Sequence, residues 1–122
     1  MDAIYENNFA ELHDLMEAQD GKYDYDIVRR AFEQCVEAHK GQLRSSKEEF
    51  YLHPFNVAKI VVSLGMDTQS VAAALLHDTV EDCPEITQET LRNEFGEEVA
   101  LLVDGVTKLD KLDFTSREEQ KA

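Results

Sequence analysis

Apolar side chains recur at steps of three and four residues through most of this chain of 122 residues. This spacing places side chains on one face of an α-helix. It predicts amphipathic helices over residues 8–18 and 25–39 and from residue 97 onward. No segment alternates with a period of two residues for long enough to predict a strand. The pattern therefore predicts an all-α fold in one domain.

Residues with strong positional preferences mark the boundaries of the remaining helices. Pro54 suits the first turn of a helix that is apolar nearly all round. Thr68 is a candidate N-cap for the next helix, which is expected to run on until it ends before Pro84. Thr87 is a candidate N-cap for another helix, and Gly96 is expected to end it.

The helix after Thr68 runs into a cluster of polar side chains. Its sequence continues from Ala-Ala-Ala-Leu-Leu into His-Asp-Thr-Val-Glu-Asp, residues 77–82. Because residues four apart share a helix face, His77 is expected over Glu81. Ionised side chains beside a core need a partner, water or a cation. Imidazole and carboxylate ligands together suit a divalent transition metal such as Mn, Fe or Zn, so the cluster predicts an active site at a helix end.

A solvated acidic helix end is the alternative interpretation of this cluster, although carboxylates near a helix C-terminus oppose the helix dipole. His53 starts the apolar helix that should pack against the helix ending in His77, and it is a further candidate ligand unless it is only a cap or surface residue. Arg44 lies in the polar, aperiodic stretch 42–51, which predicts an irregular loop at the site. Its planar cation could stack on a base or bind phosphate. His13 and His39 lack a neighbouring ligand pattern and are interpreted as structural or surface residues.

Charge and cysteine content limit the classes of partner. The net charge is −14, from 26 acidic and 12 basic residues, so direct binding to nucleic acid or to anionic membranes is not expected. No apolar segment approaches the length of a membrane span. Cys35 and Cys83 stand alone, which indicates a reducing compartment. Since the first residues also lack the pattern of a signal peptide, we expect a cytoplasmic protein.

Five motifs occur in an order that resembles the N-terminal hydrolase domain of the RelA/SpoT (Rel) stringent-response proteins, a branch of the HD-domain phosphohydrolases. The resemblance covers roughly residues 25–122. The motifs are His39–Arg44, Tyr51–Pro54, Ala73–Asp82, Phe95–Gly96 and Val103–Leu109.

The resemblance implies a helical bundle with a manganese-dependent activity that removes the 3′-pyrophosphate from guanosine tetraphosphate or pentaphosphate. The metal would be held by one His, the adjacent His-Asp pair and a later Asp. The first three match His53, His77 and Asp78. The later Asp is expected beyond residue 122, so the chain is expected to be the N-terminal portion of the hydrolase domain of a bifunctional hydrolase and synthetase.

The resemblance also assigns residues around the metal. Glu81 and Asp82 match the pair that marks hydrolase-competent members, and Arg44 matches the arginine that contacts the guanine. The loop departs from the family pattern where Lys47 and Glu49 replace a small Gly and a Pro.

Three other interpretations stay open at this point. The chain could be a phosphohydrolase of another nucleotide, or a non-catalytic module of the same fold that senses a nucleotide. It could also be a fragment whose unpaired apolar surface drives self-association.

Overall fold

Helices dominate the part of the chain that the computed structural model describes, which comprises residues 2–19, 22–106 and 108. This confirms the expected all-α fold. Within these residues the β pairing is an isolated bridge between Leu43 and Glu49. Residues 97–106 are helical and are called α7. The helices before it are α1 (Ala3–Ala18), α2 (Tyr25–Ala38), α3 (Leu52–Ser63), α4 (Thr68–Leu76), α5 (Thr79–Asp82) and α6 (Gln88–Phe95).

Helix α4 lies at the centre of the bundle. It packs against both α2 and α3, while α1 crosses the same two helices and α5 touches α2. Seven of the nine residues of α4 are buried. A helix with apolar side chains all round can satisfy them only by such burial. The residues that follow α4 therefore begin at the buried end of a central helix.

An aromatic cluster joins the first three helices. The Phe32 ring of α2 lies 5.4 Å from the Phe9 ring and 5.9 Å from the Phe55 ring, measured between centroids. Tyr51 meets Phe32 edge-on at 6.3 Å. Offset and edge-to-face contacts of this kind add to the energy of simple burial. Because Tyr51 directly precedes α3, the cluster also fixes where that helix begins.

The predicted helix ends are partly confirmed. Thr87 is the N-cap of α6, since its Oγ1 accepts a hydrogen bond from the Thr90 N–H at 3.2 Å, and Gly96 ends that helix with φ of +97°. The prediction for Thr68 was wrong. The N-cap of α4 is Asp67, which accepts from the Ser70 N–H at 2.9 Å. Thr68 is the first helical residue and its Oγ1 accepts from the Asp24 N–H, so tertiary contact takes the hydroxyl that the prediction used for capping.

Helix α1 begins at Ala3, five residues before the predicted start. The additional turn brings Tyr5 against Tyr51 and lets its hydroxyl donate to the Glu49 carboxylate at 3.2 Å. These partners lie more than forty residues away, so local periodicity could not reveal them. In the described residues, no helix combines the length and apolar character that crossing a bilayer requires.

Replacing Asp67 tests the capping correction. Hydrogen bonds from the Ser70 side chain and backbone hold the pKa of the Asp67 carboxyl below its usual value. We expect Asp67→Ala to lower the free energy of unfolding by about 1 kcal/mol at neutral pH, measured by urea denaturation. Asp67→Asn keeps the acceptor oxygen and should lose much less. The carboxylate contributes fully above the pKa of an unfolded aspartate, and its contribution should fade as pH falls through the lower folded value. Equal unfolding curves for wild type and Asp67→Ala would exclude the cap.

The two cysteines should differ in reactivity. Cys35 is buried in α2, as its position in the apolar stripe predicts, whereas Cys83 is partly exposed. Burial above all, and the nearby charge of Asp78, raise the pKa of the Cys35 thiol far above its ordinary value. Because the thiolate is the reactive form, iodoacetamide should label Cys83 and spare Cys35 in the folded chain. Mass spectrometry of the labelled peptides measures this, with urea-unfolded chain as the control that labels at both sites.

Candidate metal centre

The turn at His77 and Asp78 interrupts the helix that the sequence predicts to be continuous. Helix α4 ends at Leu76 and α5 begins at Thr79. The Nδ1 of His77 lies 2.7 Å from the Ala74 carbonyl oxygen, and Thr79 Oγ1 donates to the Leu76 carbonyl at 2.7 Å. Side chains that bond backbone carbonyls in this way compete with the helical hydrogen bonds. The uninterrupted helix was therefore a wrong prediction.

Three of the predicted ligands converge at this turn. One donor atom from each of His53, His77 and Asp78 lies within 4.8 Å of the others. The two imidazole rings are 5.9 Å apart between centroids and inclined at 65°. His53 reaches this position because it lies in the first turn of α3, and α3 packs against α4. We call His53, His77 and Asp78 the donor set.

The hydrogen bonding of His77 fits a cation at the donor set. A carbonyl oxygen can only accept, so the bond to Ala74 requires the proton of His77 to be on Nδ1. The Nε2 atom then presents its lone pair 3.3 Å from Oδ1 of Asp78, which is also an acceptor. Two lone pairs at this distance repel each other unless a proton or a metal ion lies between them. His77 is only 6% exposed, so water cannot easily relieve the repulsion.

Glu81 and Asp82 lie on α5, immediately after the donor set, and the Asp82 N–H bonds to the Asp78 carbonyl at 3.0 Å. Glu81 is exposed. Partial burial, followed by the negative charge of Asp78, raises the pKa of the Asp82 carboxyl, while the two nearby histidines oppose this shift. Oδ2 of Asp82 lies 3.8 Å from Nδ1 of His39. The Asp82 carboxyl is thus close enough to the donor set for its charges to shift the pKa of that carboxyl.

Arg44 lies in a loop without helix or strand, as the sequence predicts, and this loop folds back on itself through the isolated bridge between Leu43 and Glu49. The Arg44 N–H donates to the Glu48 carbonyl at 2.9 Å, and the Phe50 N–H donates to the Gln42 carbonyl at 3.1 Å. We call residues 42–50 the hairpin. Lys47 adopts φ of +71°, in the left-handed region that favours glycine. Lys47 thus occupies a backbone conformation that favours glycine, and it is the position at which the resemblance implies a small Gly. Arg44 itself is exposed.

A cavity of about 390 Å³ opens beside the donor set, and its size is typical of small-molecule sites. Sequence reasoning did not predict it. The sequence did contain a signal for the cavity, because α3 is apolar nearly all round. The helices α1, α2 and α4 cannot cover every side of it, so an apolar surface remains beside His53. Besides His53, His77 and Ser70, the cavity is lined by Val57, Val61, Met66, Ala73, Ala74, Leu102 and Val106.

A second group of possible ligands is formed by His13, Asp14 and Glu17 of α1. Both carboxylates are exposed, and His13 Nδ1 is 3.5 Å from Glu17 one helical turn away. Pairs of this kind are common on helix surfaces. His13 is therefore a suitable control residue for experiments on the donor set.

Comparison with known families identifies the fold around the donor set. A family model described as HD domain matches residues 31–122. The chain belongs to the HD domain family. Membership implies a divalent metal, and the donor set offers two imidazoles and one carboxylate at a single point.

Relatives with assigned names extend the comparison. A guanosine-3′,5′-bis(diphosphate) 3′-pyrophosphohydrolase of Vibrio cholerae is 42% identical over 114 residues, which cover 93% of this chain and 16% of the relative. The protein of the same name from Haemophilus influenzae is 54% identical over 83 residues, 68% of this chain and 12% of the relative. The bifunctional (p)ppGpp synthase/hydrolase SpoT of Escherichia coli is 44% identical over 95 residues, 78% of this chain and 13% of the relative.

These relatives confirm the resemblance to RelA/SpoT proteins that the motifs indicate. The chain spans at most 16% of the length of these three relatives. Their names therefore describe much longer proteins.

Metal binding gives a direct test of the donor set. Titration with Mn²⁺, monitored by electron paramagnetic resonance, should show binding that His77→Ala weakens by at least about tenfold. Losing only a residue that supports a metal ligand already lowers metal affinity by about that factor. His13→Ala is the matched control, because it removes an imidazole from the exposed group on α1. If both variants weaken binding equally, the ion is held elsewhere on the acidic surface.

Proposed function

We propose that this chain provides a manganese-dependent hydrolase site that removes the 3′-pyrophosphate from guanosine tetraphosphate or pentaphosphate in the stringent response. The observation that carries the proposal is the convergence of His53, His77 and Asp78 within 4.8 Å at the turn between α4 and α5. The names of the Vibrio cholerae and Haemophilus influenzae relatives support this substrate.

The proposed assignment makes Mn²⁺ the metal and adds a later aspartate as the fourth ligand. When bound, the ion supplies Lewis-acid activation of a water and of a phosphoryl oxygen. The protein contributes orientation, because the bond between His77 Nδ1 and the Ala74 carbonyl fixes the tautomer and the plane of that ring.

Proton transfer is assigned to α5. We assign Asp82 as the group that accepts a proton from the attacking water, with Glu81 beside it to position that water. A carboxyl with a raised pKa is a better proton acceptor near neutral pH than an ordinary aspartate, which fits the environment of Asp82. The product of this step is pyrophosphate together with GDP or GTP.

Substrate contact is assigned to the hairpin. The exposed guanidinium of Arg44 is free to stack on a guanine, since a planar delocalised cation binds aromatic faces well. Lys47 adds a second cation to the same hairpin, although its side chain replaces the usual Gly. Glu49 is held by the Tyr5 hydroxyl, which ties the hairpin to α1.

The same relatives support a wider role. We place residues 1–122 within the hydrolase domain of a bifunctional hydrolase and synthetase, as the name of the Escherichia coli relative suggests. The proposed compartment is the cytoplasm, where guanosine nucleotides are available.

The experiment that tests this function is a hybrid protein. Residues 1–122 replace the matching segment of the Vibrio cholerae relative, so that the remainder of that protein completes the domain. The hybrid should release pyrophosphate from guanosine tetraphosphate when Mn²⁺ is present. His77→Ala should reduce release by a factor of at least about 100, whereas His13→Ala should leave it unchanged.

Two results would contradict the proposal. A hybrid that binds guanosine tetraphosphate but never releases pyrophosphate would indicate a nucleotide-sensing module. A hybrid that cleaves another nucleotide in preference would indicate a different phosphohydrolase.

A further inference from the structure

We propose that His39 is a positioning residue that orients the Asp82 carboxylate and connects it to the hairpin that carries Arg44. The consequence for catalysis rests on the proposed function. The geometric part of the inference rests only on the contacts of His39 and is tested separately.

The His39 ring lies where three elements meet. It is the C-terminal cap residue of α2, and its side chain is completely buried. The ring stacks on Phe50 of the hairpin, with 4.7 Å between centroids and an interplanar angle of 29°. Its Nδ1 faces Gln42 Oε1 at 3.3 Å and Asp82 Oδ2 at 3.8 Å. One nitrogen therefore faces groups from both the hairpin and α5.

A purely structural role does not explain an imidazole at this position. The Nε2 atom of His39 is buried and has no hydrogen-bond partner among the described residues. Buried polar atoms without partners are rare because they lose their hydration without compensation. A phenyl ring would fill the same space and keep the stack on Phe50 without that cost. The benefit of the imidazole must therefore come from Nδ1.

The position of the proton on His39 follows from the same contacts. The Gln42 oxygen and the Asp82 carboxylate are both acceptors, so Nδ1 must carry the hydrogen to interact favourably with them. The distance to Gln42 is within the range of a hydrogen bond, and the distance to Asp82 is that of a charge held close by. Asp82 is 35% exposed in its side chain, so without such a contact it has room to turn toward solvent.

The geometric part predicts a spectroscopic signature in the chain of 122 residues without metal. Nitrogen-15 NMR distinguishes the two neutral tautomers of an imidazole, and at mildly alkaline pH His39 should carry its proton on Nδ1. A proton on Nε2 would overturn the inference, because Nδ1 would then have no hydrogen to present to Asp82.

The catalytic part is tested with two variants of the hybrid protein. The more stable variant is expected to be the less active one. His39→Phe keeps the ring and its stack but removes the N–H. His39→Asn loses the ring but places an amide N–H near the position of Nδ1. We expect His39→Phe to lower kcat by about 10-fold to 100-fold with KM little changed, as is typical when a polar contact that supports a site residue is lost. We expect His39→Asn to recover most of kcat although its Tm is the lower of the two.

The opposite order of kcat values, with His39→Phe active and His39→Asn impaired, would show that His39 serves only packing. An equal rise in KM for both variants would show that His39 acts through the hairpin alone, which likewise overturns the inference. If the unmodified hybrid releases no pyrophosphate, the proposed function fails, and the tautomer of His39 still decides whether Nδ1 is directed at Asp82.

Discussion

The burial of α4 between α2 and α3 is the constraint on which the rest of this structure depends. The small side chains of the Ala-Ala-Ala segment let both neighbouring helices approach closely, and Leu75 and Leu76 fill the space at the end of the helix. Because α3 packs along α4, its first turn lies next to the last turn of α4. This is why His53 and His77, separated by two dozen residues of chain, present their rings to the same point. The donor set is thus a consequence of helix packing.

The break after Leu76 gives the donor set its local geometry. The side chains of His77 and Thr79 bond carbonyls in the last turn of α4, and α5 begins only after a turn at His77 and Asp78. The same bond on His77 leaves Nε2 without a proton and opposite a carboxylate. Structure and chemistry are coupled here, because the contact that ends the helix also prepares the ligand.

Charge sets the other requirement for the site. The chain carries a net charge of −14, and three carboxylates lie at or beside the donor set. An anionic nucleotide would be repelled by this field unless positive charge were available locally. Under the proposed function, a divalent ion at the donor set and the guanidinium of Arg44 would meet that need. The acidic surface elsewhere discourages polyanions such as nucleic acid, which fits a small-molecule substrate.

The sequence by itself determined the helical fold and the approximate extent of α2, α6 and α7, and it predicted that His53, His77 and Asp78 would lie together. These depend on local periodicity and on the chemistry of individual side chains, both of which are readable along the chain. The break between α4 and α5 rests on local bonds to the Ala74 and Leu76 carbonyls, which helical periodicity does not reveal. Only the tertiary structure decided that Thr68 bonds Asp24 in place of capping α4, and that His39 faces Asp82. Each of these two side chains had several possible partners, and helix packing selected one that lies more than forty residues away along the chain.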